Sequence, residues 1–133
     1  MSFPQFDASG ATGALIADRF MNTFIAGEAL NPGVLVELTA AFTVKRPTAA
    51  NSLKIIGITM TKQATIGGKI TVLCRGITRA TAFGSVAYGD QLTSGPASQP
   101  GTVQTDNTSK NTTVIGIALQ AISSGATGII MMW

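Results

Sequence analysis

From Phe24 to the C-terminus the chain is written in short blocks of β-branched and apolar residues, each broken by a turn signal. Pro32-Gly33 leads into a strand over residues 34–38. Thr39-Ala40 then predicts a tight hairpin into a second strand over 41–45, which Pro47 ends. Residues 54–60 are rich in β-branched side chains but hold Gly57 in the middle. A glycine inside a strand marks a bulge or a close approach of another backbone. After the turn Ile66-Gly67-Gly68, residues 69–75 alternate. Ile70, Val72 and Cys74 share an apolar face, and Lys69, Thr71 and Arg75 a polar one, with Leu73 as its exception. Gly76 is read as the end of that strand. Further strands are predicted over 102–105, 113–119 and 128–132, the last after the turn Ser123-Ser124-Gly125. The connections 93–101 and 106–112 are rich in Ser, Thr, Asn, Gly and Pro and are expected to be exposed. Many short strands at close intervals predict a small barrel or sandwich.

The second half of the chain repeats the first. Ile56-Gly57-Ile58 returns 59 residues later as Ile115-Gly116-Ile117, and Ile70-Thr71-Val72 at the same offset as Ile129-Ile130-Met131. Gly27-Glu28-Ala29-Leu30 returns 62 residues later as Gly89-Asp90-Gln91-Leu92, which implies a loop three residues shorter in the second half. Internal repetition fixes the architecture before any single residue is considered. The resulting organisation is an N-terminal arm over 1–23 and one β domain over 24–133, built from two related halves at about 24–80 and 85–133. Positions that recur in both halves serve a scaffold, whereas a catalytic constellation breaks such symmetry. The pattern therefore favours a binding or structural protein over an enzyme.

The arm carries large apolar residues, Phe3, Pro4, Phe6, Leu15 and Phe20, around a small flexible run from Ala8 to Ala14. Gly10 and Gly13 oppose a stable helix, although Ser9 or Asp7 can cap a short one through Leu15-Ile16. Aromatic anchors on flexible spacers suit docking onto a neighbouring molecule. The plainer reading is an arm folded back on its own domain, or terminal disorder. The first residues lack a positive segment followed by an apolar one, so no signal peptide is expected. No apolar run approaches the roughly 20 residues of a membrane helix. Synthesis in a cytoplasm, without a membrane partner, is the expectation.

Composition sharpens this picture. Charged residues are only 11% of the 133, against 45% hydrophobic ones, where an ordinary soluble domain has about 25% charged residues. So little charge points to surface that is permanently covered in an oligomer or assembly. The net charge is +3, but seven basic residues, Lys45, Arg46, Lys54, Lys62, Lys69, Arg75 and Arg79, occupy a stretch with no acid in it. They read either as a face that meets an acidic partner or as solvated strand faces. The stretch holds no aromatic residue, so it lacks the stacking platforms of a single-strand nucleic-acid binder, and no direct nucleic-acid contact is expected.

The chemistry of catalysis is largely missing. There is no histidine, which removes the commonest general base and metal ligand. The one cysteine, Cys74, lies in the apolar set of a strand and reads as a small buried hydrophobe. Glu28 and Asp90 could be cast as a carboxylate pair, but as repeat-related residues they read as turn positions. Gly68-Lys69 fails as a phosphate loop, because Ile70 stands where Ser or Thr is needed and Gln63 where the first glycine is needed. Neither a cofactor nor a metal is implied.

Taken in order, several motifs resemble those of the capsid decoration (cement) proteins of tailed bacteriophages. They are residues 26–36 (Ala-Gly-Glu-Ala-Leu-Asn-Pro-Gly-Val-Leu-Val), Ile56-Gly57-Ile58, residues 70–76, Tyr88-Gly89-Asp90-Gln91-Leu92 and residues 114–119. The resemblance covers about residues 24–133. It departs from the family in the longer N-terminal segment and in the hydrophobic end, Ile129 to Trp133, where the family often has a charged strand. It implies an all-β fold, a small pseudo-repeated barrel of the β-clip or β-tulip kind with an extended N-terminal arm. It also implies a homotrimer on the outside of the expanded capsid, bound to the major capsid protein and bridging its subunits. On this reading Phe3, Pro4, Phe6, Leu15 and Phe20 contact the lattice, and Trp133 either anchors an interface or, the preferred reading, closes the core. Two alternatives stay open: another self-assembling virion, shell or fibre-base subunit, and a small ligand-binding β-clip module.

Overall fold

The computed structural model describes residues 20–107 and 113–133. Nine strands follow one another: β1 (Phe20–Ala26), β2 (Leu35–Ala40), β3 (Thr43–Lys45), β4 (Ile55–Thr59), β5 (Lys69–Thr81), β6 (Gln91–Ser94), β7 (Val103–Thr105), β8 (Gly116–Ala118) and β9 (Thr127–Met132). The described residues contain no α-helix. The fold is all-β, a closed five-stranded barrel with further strands, as the sequence pattern predicts.

The barrel closes because β1 has partners on both sides. It runs antiparallel to β5 and parallel to β3, and β3–β2–β4–β5 completes the ring through antiparallel pairs. Strand β5 then outlasts the ring. Residues 76–81 leave β1 behind and pair with β9, and β9–β8–β6–β7 follow in order. A single parallel bridge, Ala82 to Val103, brings this second set back toward the end of β5. The change of partner falls at Gly76, whose φ of 137° lies in a region that side chains avoid. Gly76 thus lets the strand bend and continue rather than ending it.

The second set copies the first bond for bond. Gly27 N donates to Val44 O (2.8 Å) as Phe83 N donates to Val103 O (2.8 Å). Ala26 N donates to Gly68 O (2.8 Å) as Ala82 N donates to Ala126 O (3.0 Å). Gly33 N donates to Thr59 O (2.8 Å) as Gly89 N donates to Ala118 O (2.8 Å), with φ of 81° and 82° at the two glycines. These bonds correct two of the three sequence equivalences. Gly89 is the counterpart of Gly33, 56 residues earlier, and not of Gly27. Opposite β4 and β8, Leu73 and Met131 hold equivalent places, an offset of 58. Thr71 therefore matches Ile129, one residue away from the match read in the sequence. Of the three sequence equivalences, that of Gly57 and Gly116 keeps its offset of 59, which Thr59 and Ala118 share.

Each twin glycine is required by a close approach. A Cβ on Gly57 would strike the carbonyl oxygen of Leu73, and one on Gly116 the carbonyl oxygen of Met131. Two apolar clusters fill the space between the strands. One joins Ala26, Leu30, Val36, Val44, Ile70 and Val72, all from the first half. The other runs through Ala80, Leu92, Val103, Ile115, Ile130 and Met132, and takes Leu35 and Ile58 from the first half. Full burial of a Val, Leu or Ile side chain contributes about 1.5–3 kcal/mol, so these clusters supply a large share of the fold's stability.

Other expectations need correction. Residues 20–23 belong to β1 and not to an arm. The hairpin turn falls at Ala41-Phe42, where Phe42 takes φ 54°, because the β2–β3 register shifts between Leu38 and Ala40. The 93–101 connection is not wholly exposed: Thr93 and Ser94 lie in β6 and are fully buried, with the Ser94 hydroxyl donating to Ala49 O (3.1 Å). Strand β8 is confined to three residues of the predicted 113–119.

Gly57→Ala and Gly116→Ala should each cost about 3 kcal/mol, the upper end of the overpacking range, since a rigid carbonyl must move. Gly33→Ala, with open space around it but a positive φ, should cost about 1–2 kcal/mol. Urea unfolding midpoints rank the three.

Candidate interaction surface

The described residues hold no cluster of three His, Cys, Asp or Glu side chains able to grip a metal ion. Cys74 is half-buried against the first apolar cluster, and burial pushes its thiol above the ordinary range, away from the reactive thiolate.

The seven basic residues are exposed. Lys45 ends β3 and sits across from Glu37 of β2. Arg46 follows it, and its Nε and backbone N both donate to Glu28 Oε2, at 2.9 Å and 2.8 Å. This is the one ion pair among the described residues. The Arg46 guanidinium holds the Glu28 carboxyl below the usual carboxylate range. Lys54 precedes β4, Lys62 lies between β4 and β5, and Lys69, Arg75 and Arg79 are strung along β5. Ten residues of extended strand put Lys69 and Arg79 about 30 Å apart. Lys69 and Arg79 therefore lie toward opposite ends of β5.

Glu28 and Asp90 are not equivalent, contrary to the sequence alignment of the halves. Glu28 ties the segment after β1 to the end of β3 through Arg46. Asp90 instead accepts from the Ala87 N–H of its own turn (2.9 Å) and from the Thr105 hydroxyl (3.0 Å).

Apolar exposure is the more distinctive property. Phe20 stands opposite Arg75, Met21 opposite Leu73, and Ile77 just beyond, so three exposed apolar side chains gather at the middle of β5. Phe42 and Tyr88 stand on turns, with Tyr88 78% exposed. A separate open groove of about 470 Å³ lies between the end of β2 and the start of β4, lined by Leu38, Leu53, Ile55 and Ile56. Leu53, Ile55 and Ile56 also line an adjoining recess of about 150 Å³ that ends at Cys74, Met132 and Trp133. Met132 is buried in the core, whereas Trp133 is 52% exposed. The final strand thus closes the core with Met132, and the Trp133 ring borders the recess. Phe3, Pro4, Phe6 and Leu15 lie outside the described residues. The groove and its recess escaped sequence reading because their walls come from five separated segments, 38–41, 52–56, 74, 114–115 and 132–133.

The Glu28–Arg46 pair makes a pH-dependent prediction. A carboxylate whose folded pKa is depressed adds stability that is present above its unfolded pKa, near the ordinary 4.5, and is lost as pH falls through the folded value. Arg46→Ala should lower stability by under about 1 kcal/mol at pH 7, because the pair is partly exposed. The gap between variant and wild type should close below pH 4.5. Urea midpoints measured at pH 7 and pH 3 check both parts.

Neither a protein-family profile nor a curated protein matches the sequence. Among solved structures, the chain is similar to the N base of the head fibre protein gp8.5 of bacteriophage phi29. The match has a TM-score of 0.65 at 15% identity and covers 87% of this chain and 95% of that one. At that identity it establishes a shared fold, one that here extends over almost the whole of both chains.

Proposed function

We propose that this chain is a structural, non-enzymatic protein of a tailed-phage virion that binds the outer surface of the expanded head. The observation that carries this reading is the near-complete overlap in fold with the base of a head fibre. The order of motifs along residues 24–133, which resembles that of decoration proteins, supports it from an independent direction. So do the absence of histidine and the low charge.

In this reading the chain is a homotrimer and its partner is the major capsid protein. Phe20, Met21 and Ile77, exposed around the middle of β5, pack copies against one another. The trimer bridges neighbouring capsid subunits. Because it binds the expanded lattice and not its dissociated subunits, it stabilises that lattice by mass action. Several weak contacts per trimer add up through multivalency. A second reading, a fibre-base subunit, is favoured by the identity of the similar structure.

Light scattering on the purified protein should give a trimer mass, and Ile77→Asp should reduce it to that of a monomer. Co-sedimentation with expanded shells separates the readings. A decoration protein saturates in proportion to the number of capsid subunits, and a fibre base at a small fixed number per shell. A protein that stays in the supernatant at every concentration defeats both.

A further inference from the structure

We infer that the groove between the end of β2 and the start of β4 receives an extended segment of the shell protein, one that carries an apolar side chain beside an acidic one. This rests on the reading of the chain as a head-binding protein and names the surface that does the binding.

The backbone makes the groove. Strand β2 runs to Ala40, but its register against β4 ends at Glu37 opposite Ile55, followed by one further bond from Leu38 N to Lys54 O (3.0 Å). Strand β2 has β3 and β4 as its neighbours, so among the described residues no strand lies on the β4 side beyond Leu38. Thr39, Ala40 and Ala41 line the groove along this open edge, and Leu38, Leu53 and Ile56 supply apolar wall. An open edge offers its backbone groups to another extended chain, and small side chains let that chain come close. Leu53 is 73% exposed at the groove, and Phe42, which follows Ala41, is 71% exposed. Both are large apolar side chains placed to grip an apolar one.

Charge selects the occupant. The described residues hold four acids, and each is engaged within the chain. Arg46 binds Glu28, the Ser52 hydroxyl donates to Glu37 (2.5 Å), Ala87 N and Thr105 donate to Asp90, and Thr113 donates to Asp106. Of the seven described bases, Arg46 alone forms an ion pair. The exposed charge that is left is cationic. In the groove it is Lys54, with no acid among the lining residues. The described surface of a second copy would bring more cations to Lys54. A shell segment with an acidic side chain next to an apolar one matches both Lys54 and the apolar wall.

Co-sedimentation of the full chain with expanded shells tests this. Leu53→Asp and Lys54→Glu, both at exposed positions, should each raise the Kd for shells about tenfold or more. Ser124→Glu, which adds an acid to the exposed turn before β9, should leave it within about twofold. Light scattering should give all three variants the wild-type mass. With Leu53 replaced by the photoreactive residue benzoylphenylalanine, light should join the chain to one shell peptide that contains an acidic residue. If wild type pellets with shells and both groove variants pellet equally well, the proposal fails while the head-binding reading stands. If wild type itself stays in the supernatant, that reading fails and takes the proposal with it. A crosslink within this chain or to a second copy, or a groove variant of altered mass, overturns the choice of occupant.

Discussion

Strand β5 must satisfy two sets of backbone partners, and the rest of the molecule is arranged around that demand. Its first seven residues close a five-stranded ring with β1 and β4, and its last six carry β9 and the second set of strands. Each ladder bond is worth about 1 kcal/mol net, so the two sets are held to one strand by many small contributions. The bend at Gly76 makes the exchange of partners feasible. Placing the ring and the second set on one strand also lets the second apolar cluster draw Leu35 and Ile58 from the first half, so the two sets share packing as well as backbone.

This arrangement explains the surface. A ring closed through β1 leaves few free strand edges, and edges are the usual route to uncontrolled association. The apolar area that remains is local: the side chains about the middle of β5 and the groove leading to Trp133. In a chain with 11% charged residues this exposed apolar area stands out.

What the sequence revealed followed from how strictly the structure constrains each position. The Ile-Gly-Ile twins were legible because a carbonyl oxygen sits where a Cβ would be in both halves, which admits only glycine. Gly27-Glu28 against Gly89-Asp90 was misleading, because an acid after glycine arises there for two unrelated reasons, an ion pair and a turn. Strand β1 was hidden by its exposure: four of its first residues are open to solvent and show no alternation. Strand β6 was hidden by polarity, since Thr93 and Ser94 look like loop residues yet are buried. The groove and its recess could not be read at all, because residues 38–41, 52–56, 74, 114–115 and 132–133 meet only after the strands close.

The most direct test of a shared β5 is native-state hydrogen exchange across Lys69–Thr81. If one strand serves both sets, its hydrogen-bonded amides on either side of Gly76 should exchange together, at the slow rate of global unfolding. If the amides of residues 76–81 and of β9 stayed protected while those of residues 69–75 exchanged early, the two sets would open independently and the account would be wrong.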